Sequence, residues 1–304
     1  MTGRPERSAK NQNNQSFFMR TLSIIILHHN APEQTERCLQ SLKNALLPEK
    51  TEIIIVNNGG HEANKGISQK SHKSLDVKFF DIPNSGYAQG NNFGLHHCSG
   101  KYLAFINPDI VVERNTIAVL LDYLNAHPNV GIAAPKLVYP DGSIQDNYRN
   151  FPRLIDLIIK RTKFLRKIFL KRMRHYLMWN KNPNTNEAVD WVTGAFQIIK
   201  RDCLNAIGAH DERYFLFMSD VSLCRTAWER GYEVHYVGDA KAAHNDERLS
   251  SGGFFILLRK KVLRIHLLDA LKYYLYNFSR RMPKTIPSLK ALRKTGNKKY
   301  HGKR

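Results

Sequence analysis

The apolar run Tyr102–Ile106 stops at Asn107-Pro108-Asp109, and a second run, Ile110-Val111-Val112, begins at once. A short continuous apolar run bounded by turn residues reads as a strand covered on both faces, the pattern of a parallel sheet. Pro108 has no amide proton to offer a sheet ladder, so the strand must end before it. Asp109 is thereby fixed in a tight turn at a strand tip. Open α/β sheets bind ligands at the carboxyl ends of their strands. A carboxylate held there suits a hard divalent cation that also touches phosphate oxygens. Asn, Pro and Asp form surface turns in any protein, so the reading depends on the rest of the chain.

That context is an alternation of strand and helix patterns from residue 21 to about residue 126. Thr21–Leu27 is a buried-strand pattern that runs into His28-His29-Asn30-Ala31-Pro32. A helix fits Glu33–Leu47, with Cys38, Leu39, Leu42 and Leu46 on one face. Glu52–Val56 is a second strand, ending at Asn57-Asn58-Gly59-Gly60. Val77–Asp81 is a third, ending near Pro83-Asn84-Ser85-Gly86, and a helix is expected over Gln89–His97. Such alternation argues for βαβ units in a mostly parallel sheet. Right-handed crossovers bring the strand ends to one edge. Asn30, Asn57, Asn58, Asn84, Gly86, Asn107 and Asp109 would then line a polar crevice suited to a ligand rich in hydroxyls and phosphates. Neither G-x-G-x-x-G after the first strand nor G-x-x-x-x-G-K-[ST] anywhere is present, which argues against nicotinamide dehydrogenases and P-loop NTPases.

The second half changes character. Val130–Val138 resumes the sheet and Pro140–Ser143 forms a turn. Residues 151–178 carry Lys160, Arg161, Lys163, Arg166, Lys167, Lys171, Arg172 and Arg174 against one acid, Asp156, with apolar residues near helical spacing. A basic amphipathic helix of this type lies on an anionic membrane face; a core-packed helix with a solvated basic side is the alternative. Val189–Ile199 returns to strand character, interrupted at Gly194. Arg201–Ile207 is helical, and a further helix runs from Met218-Ser219-Asp220 to Arg230, closed by Gly231. Glu233–Val237 is a strand, with His244 in the loop after it. Phe254–Phe278 is a second apolar and basic helical stretch. The expected division is a disordered extension over 1–20, an α/β domain over 21–245 with a basic insertion at 151–178, and a basic C-terminal region over 246–304 that ends in a mobile tail.

The 304 residues carry a formal net charge of +21, which implies a polyanionic partner: nucleic acid, an anionic membrane face or phosphorylated substrates. Cys38, Cys98, Cys203 and Cys224 are widely spaced and form no CxxC pair, the pattern of reduced thiols in a cytosolic compartment. No apolar run approaches the roughly 18 residues of a spanning helix, and the N-terminus lacks the apolar region of a secretory signal. No RNP, helix-turn-helix or zinc-finger pattern supports nucleic-acid binding, and no nucleic-acid partner is expected.

Seven stretches, in order along residues 21 to 245, carry a resemblance. They are LSIIILHHN (22–30), EIIIVNNGG (52–60), NSGYAQGNNFGL (84–95), YLAFINPDIVV (102–112), PKLVYPDGSIQDNYRNFP (135–152), DWVTGAFQIIKRD (190–202) and DERYFLFMSDVSLCRTAWERGYEVHYVGDAKAAH (211–244). The chain resembles glycosyltransferases of family 2 and, more narrowly, their bacterial rhamnosyltransferase-type branch. The resemblance implies a GT-A fold and inverting transfer from a nucleotide-diphosphate sugar. Asn107-Pro108-Asp109 would be this chain's form of the Asp-x-Asp motif, with Asp109 binding a divalent metal (Mg²⁺ or Mn²⁺) and the diphosphate. Asn57 and Asn58 stand where the family has an Asp-Asn pair near the nucleotide. Ser219-Asp220 stands at the family's Glu-Asp position, with Asp220 as general base. His244 matches a histidine that reaches the metal, and an imidazole suits Mn²⁺ better than Mg²⁺. The implied donor is dTDP-L-rhamnose and the implied acceptor a lipid-linked glycan of O-antigen or cell-wall assembly, at the cytoplasmic face of a bacterial inner membrane. A UDP-hexose or UDP-N-acetylhexosamine donor is the alternative; a nucleic-acid-binding protein or an inactive scaffold (Asn57 and Ser219 each replace an acid) are further ones.

An acceptor hydroxyl has a very high pKa and needs a carboxylate to take its proton as the new bond forms. Asp220 opens a helix, whose N-terminus favours the ionised form, although Asp is also a common N-cap. Asn84, Gly86, Asn91 and Asn92 are expected to offer amide donors and close backbone approach around the sugar nucleotide; Asn91 and Asn92 could equally begin a helix. Trp191 and Gly194 are candidates for the sugar pocket, with buried core the competing role for Trp191. Arg149 is a candidate bidentate clamp for a phosphate or a solvated arginine. His28 and His29 read as structural or nucleotide-edge residues.

Overall fold

In the computed structural model, residues 20–59, 74–245 and 261–287 are described, apart from the side chains of Arg161 and Lys163. The extension over 1–19 and the stretches 60–73, 246–260 and 288–304 lie outside the described residues. The first half runs β1 (Arg20–His28), α1 (Pro32–Asn44), β2 (Thr51–Asn57), β3 (Val77–Asp81), α2 (Gly86–His96), β4 (Gly100–Ile106), β5 (Ile110–Val112), α3 (Thr116–Ala126) and β6 (Val130–Val138). The second half runs β7 (Tyr148–Arg149), α4 (Leu154–Arg161), α5 (Lys163–Ile168), α6 (Leu170–Tyr176), β8 (Glu187–Ala188), β9 (Trp191–Val192), β10 (Phe196–Lys200), α7 (Arg201–Ile207), α8 (Ser219–Glu229), β11 (Glu233–His244) and α9 (Lys261–Asn277).

Strand residues alternate between the two faces of a sheet, and here the alternation divides two cores. Ile24, Ile26, Ile53, Ile55, Ala104 and Ile106 pack with α1 and α3 through Cys38, Leu39, Leu42, Ile117 and Leu120. Ile25, Ile54, Val56, Leu103 and Phe105 face the other way and pack with α7, α8 and α9 through Cys203, Leu204, Val221, Cys224 and Tyr273. The result is a three-layer α/β/α arrangement. Among the described residues the main sheet has the order β3-β2-β1-β4-β10-β6-β11-β5, with β8 beside β11. The pairs β1–β2, β2–β3, β1–β4 and β6–β11 are parallel.

Register aligns the strand ends. His28 is opposite Asn57, Asn57 opposite Asp81, and Ile26 opposite Ile106. The polar ends therefore share one edge, as the crossover rule requires. Four features depart from the sequence reading. First, β10 enters between β4 and β6 antiparallel to both, because the reversal at Gly194–Ala195 sends the chain back along β4. Second, α2 begins at Gly86 rather than Gln89, since Asn58 Oδ1 accepts the Ser85 N–H (2.9 Å) and fixes the residue before the helix. Third, β11 does not stop at Val237. It shifts register between Val237 and Lys241, then runs antiparallel to β5 with His244 opposite Ile110. Such an irregularity re-aims a strand without ending it.

Fourth, residues 151–178 form three short helices instead of one. Thr162 is extended (φ −107°, ψ 108°) and breaks the first from the second. Arg172 Nε donates to Asp156 Oδ1 (2.6 Å) and folds α6 back on α4, where Ile159, Met173, Tyr176 and Leu177 make a small core of their own. Of the C-terminal region, α9 packs Leu263, Asp269, Ala270 and Tyr273 inward. Thr285 beyond it is 1% exposed, and its hydroxyl donates to Asp190 Oδ1 (2.6 Å). No helix among the described residues is long and apolar enough to cross a membrane.

Candidate active site

The turn after β4 places Asp109 where the sequence puts it. Asn107 N–H donates to Ala195 O (2.8 Å) and Ile110 N–H to Asn107 O (3.2 Å), which closes the turn. The returning β11 lays His244 against it, with His244 Nε2 3.2 Å from Asp109 Oδ2 and Asn245 N–H on Asp109 O (3.1 Å). The other carboxylate oxygen, Oδ1, is buried with no hydrogen-bond partner among the described residues. A buried anionic oxygen without a partner is costly, and a cation beside it would remove that penalty. The donor set, one carboxylate and one imidazole, fits a divalent ion whose remaining positions are filled by phosphate oxygens and water. Gln145, which the sequence reading did not single out, fixes the imidazole. Its Oε1 is 2.8 Å from His244 Nδ1 and its Nε2 donates to His244 O (3.0 Å). This is the kind of outer support that would orient a ligating histidine.

Asp220 faces the same sheet edge. It is the second residue of α8, not its N-cap; that place is taken by Met218 in the left-handed region (φ 68°). A side chain there costs about 1–2 kcal/mol. Asp220 Oδ2 accepts the Gly194 N–H (3.1 Å) and Oδ1 the Val221 N–H (2.8 Å). Burial raises the carboxyl's pKa, opposed by these two N–H groups and by the nearby Arg149 charge. Gly194, a candidate for the sugar pocket, is held within the protein on both sides of its peptide. Its N–H holds Asp220, its carbonyl accepts the Tyr87 hydroxyl (2.8 Å), and a Cβ there would strike that hydroxyl. Through Gly194 and Ala195, adjacent in the chain, one reversal touches both the Asp220 carboxylate and the turn bearing Asp109.

Several expected donor contacts are engaged inside the protein. Asn58 holds Ser85 N–H and donates to Gly86 O (3.1 Å). Asn91 donates to Tyr87 O (2.9 Å) within α2. Asn92 Nδ2 donates to His210 O and Glu212 Oε1, both at 2.8 Å, and its Oδ1 accepts His210 N–H, so both of its amide protons are used. Asn84 Oδ1 accepts Gly86 N–H (3.2 Å), and Gly86 (φ 87°) is packed against Phe215 O. Asn57 donates to Asp81 Oδ1 (2.7 Å) and accepts Gly59 N–H. Asn30 (φ 51°) is exposed at the end of β1, and Asn107 acts through its backbone. His28 meets the Thr35 hydroxyl (2.9 Å). Trp191 is buried, with Nε1 donating to Asn150 O (2.9 Å). Arg149 is not a freely solvated arginine. Its guanidinium lies over the Trp191 ring (5.0 Å) and donates to Asp146 O (2.7 Å), while Nε is buried without a partner among the described residues.

His210 is buried with both ring nitrogens unpartnered among the described residues, edge-on to Phe105 (4.8 Å). Burial lowers its pKa from 6.5 to about 4. The unfolded chain therefore binds a proton that the folded chain refuses between those values. The stabilising contribution is whole above about pH 6.5 and lost as pH falls to about 4, a change of about 3 kcal/mol. His210→Leu is expected to flatten the fall of Tm across this interval; an unchanged slope in a pH series of melting curves would contradict the assignment.

Residues 23–194 match the family model "Glycosyl transferase family 2". The chain is similar to Rhamnosyltransferase WbbL of Escherichia coli (strain K12), 24% identical over 262 residues that cover 82% of this chain and 91% of that one. It is similar to the N-acetylglucosaminyl-diphospho-decaprenol L-rhamnosyltransferase of Mycobacterium tuberculosis (strain CDC 1551 / Oshkosh), 28% identical over 153 residues, 46% of this chain and 45% of the relative. Among solved structures, that of GalNAc-T7 with UDP, GalNAc and Mn²⁺ aligns with a TM-score of 0.57 at 17% identity, over 74% of this chain and 44% of that one. The architecture is the GT-A fold.

Proposed function

Because the chain belongs to glycosyl transferase family 2, we propose that it moves a sugar from a nucleotide-diphosphate donor to a glycan hydroxyl with inversion, using Asp220 as base and Asp109 with His244 at the diphosphate. The observation that carries this is the single reversal at Gly194–Ala195, which touches the Asp220 carboxylate by one residue and the Asp109 turn by the next. The Asp220 oxygens accept the acceptor's hydroxyl proton as the oxygen attacks the anomeric carbon. A carboxyl with a raised pKa is a stronger base than an exposed one, and the Gly194 and Val221 N–H groups keep its orientation. A Mg²⁺ or Mn²⁺ ion held by Asp109 and His244 would neutralise charge on the departing nucleoside diphosphate.

The donor we propose is dTDP-L-rhamnose, supported by the names of two relatives. The acceptor we propose is a lipid-linked glycan, supported by the decaprenol in one of those names. A UDP-sugar is the second donor reading, favoured by the UDP in the GalNAc-T7 structure. The test is nucleoside-diphosphate release from dTDP-rhamnose, UDP-glucose, UDP-galactose and UDP-N-acetylglucosamine, with Mn²⁺ and a bacterial membrane lipid extract. Turnover of one donor is expected; release from none of them sinks the transferase reading.

We also propose an anionic membrane face as the site of action, at the cytoplasmic side of a bacterial inner membrane. Leu154, Ile155, Ile158, Phe164 and Ile168 are exposed beside exposed Arg166, Lys167, Lys171 and Arg174. Apolar side chains ringed by cations match a bilayer with acidic headgroups. Changing those four cations to Glu is expected to abolish co-sedimentation with vesicles containing phosphatidylglycerol. Unchanged sedimentation would exclude this face.

A further inference from the structure

Asp269 lies on the inner side of α9 and is 1% exposed. Among the described residues no Lys or Arg pairs with it. Its oxygens take three successive backbone protons instead, Phe215 N–H on Oδ1 (3.1 Å) and Leu216 and Phe217 N–H on Oδ2 (2.9 Å each). Hydrogen bonds to an ionised acceptor are stronger than neutral ones, and all three fall on one tripeptide. This is a clamp across a long stretch of sequence.

The clamped tripeptide leads directly to the base. Phe215 O accepts the Tyr87 N–H (2.6 Å), and Tyr87 reaches Gly194, which holds Asp220. One residue, Met218, separates the clamp from α8, and it is the left-handed one. Among the described residues, the N-cap position of α8, Met218, supplies no side-chain hydrogen bond to the helix. A strained residue at an uncapped helix start persists only where its surroundings over-determine it, and Asp269 supplies that determination from α9. We propose that Asp269 is a positioning residue for the transfer reaction, holding Phe215–Phe217 so that the first turn of α8 presents Asp220 to the acceptor. The proposal rests on the reading of Asp220 as base. Asp269 itself touches neither substrate nor reacting atoms.

The experiment compares the full chain with Asp269→Asn, which keeps the shape and one acceptor oxygen, and with Asp269→Ala. Displacing a reacting group by about an ångström lowers turnover on the order of 100-fold. The expected result is kcat reduced roughly 10-fold in the Asn variant and roughly 100-fold in the Ala variant, with donor KM within about twofold of wild type. Amide exchange is expected to quicken at residues 215–222 and to stay slow through α9 and the sheet. Unchanged kcat, or a fall matched by a rise in KM with faster exchange throughout, would overturn the proposal. Should the Ala variant fail to fold, the Asn variant decides. Should wild type release nucleoside diphosphate from no donor, the transferase reading fails, and the exchange pattern alone decides whether α9 holds the start of α8.

Discussion

Asp220→Asn is expected to lower kcat by about 10³-fold, within the range for removing a positioned general base. Donor KM should stay near wild type. Asn has the shape of Asp and can keep one of the two backbone N–H contacts from Gly194 and Val221, so the site should hold its form. The other contact would face an NH₂ group, and a small loss of stability of about 1 kcal/mol should accompany the change. Wild type offers a second readout of the same carboxyl. Burial raises its pKa, and only the ionised form accepts a proton. Activity is therefore present above the raised pKa and lost as pH falls through it, at a higher pH than an exposed aspartate would dictate. Nucleoside-diphosphate release at saturating donor, measured across pH, checks both statements. Turnover in Asp220→Asn close to wild type would remove Asp220 from the mechanism.

Asp109→Asn is expected to have the next largest effect. The change leaves a hydrogen-bonding group beside His244 Nε2 but removes the negative charge from the buried, unpartnered oxygen. Mn²⁺-dependent binding of dTDP or UDP should weaken by about 100-fold and kcat/KM fall by about 10³-fold, since a metal clamp supplies several kcal/mol. Gln145→Ala should give a milder loss of Mn²⁺ affinity, on the order of 10-fold, by freeing the imidazole it orients. Titration calorimetry with and without Mn²⁺ separates these cases. Intact Mn²⁺-dependent nucleotide binding in Asp109→Asn would exclude Asp109 as a ligand.

The sheet edge was legible because period and punctuation act locally. A proline ends β4 after Ile106, and an apolar run of fixed length has one place to start and stop. The direction of β10 was not legible: Phe196–Ile199 reads as a strand in either direction, and the turn before it, where Ala195 O accepts the Asn107 N–H, has no sequence signature of which way it sends the chain. The strand that brings His244 beside Asp109 reads as cut short, since Gly238 and Asp239 look like a terminus and act as an irregularity inside β11. The asparagines mark the opposite limit. A polar residue at a strand end signals an unfilled hydrogen-bonding need, not the identity of its partner. For Asn58, Asn91 and Asn92 the partner is the protein's own backbone or side chains. Asp269 left no local signal at all, because what it binds is main chain, which has no sequence signature.

The placement of Asp269 and Thr285 has a consequence for the order of synthesis. Every stretch that resembles the family, through His244, precedes α9 in the chain and leaves the ribosome ahead of it. The sheet, Asp109 and Asp220 can all emerge on a nascent chain, yet the bonds from Phe215–Phe217 to Asp269 and from Thr285 to Asp190 close only after α9 and the residues that follow it have emerged. The first turn of α8 is thus fastened after the stretches that form the sheet edge, and a chain terminated before residue 261 would carry the family-like stretches without the fastening.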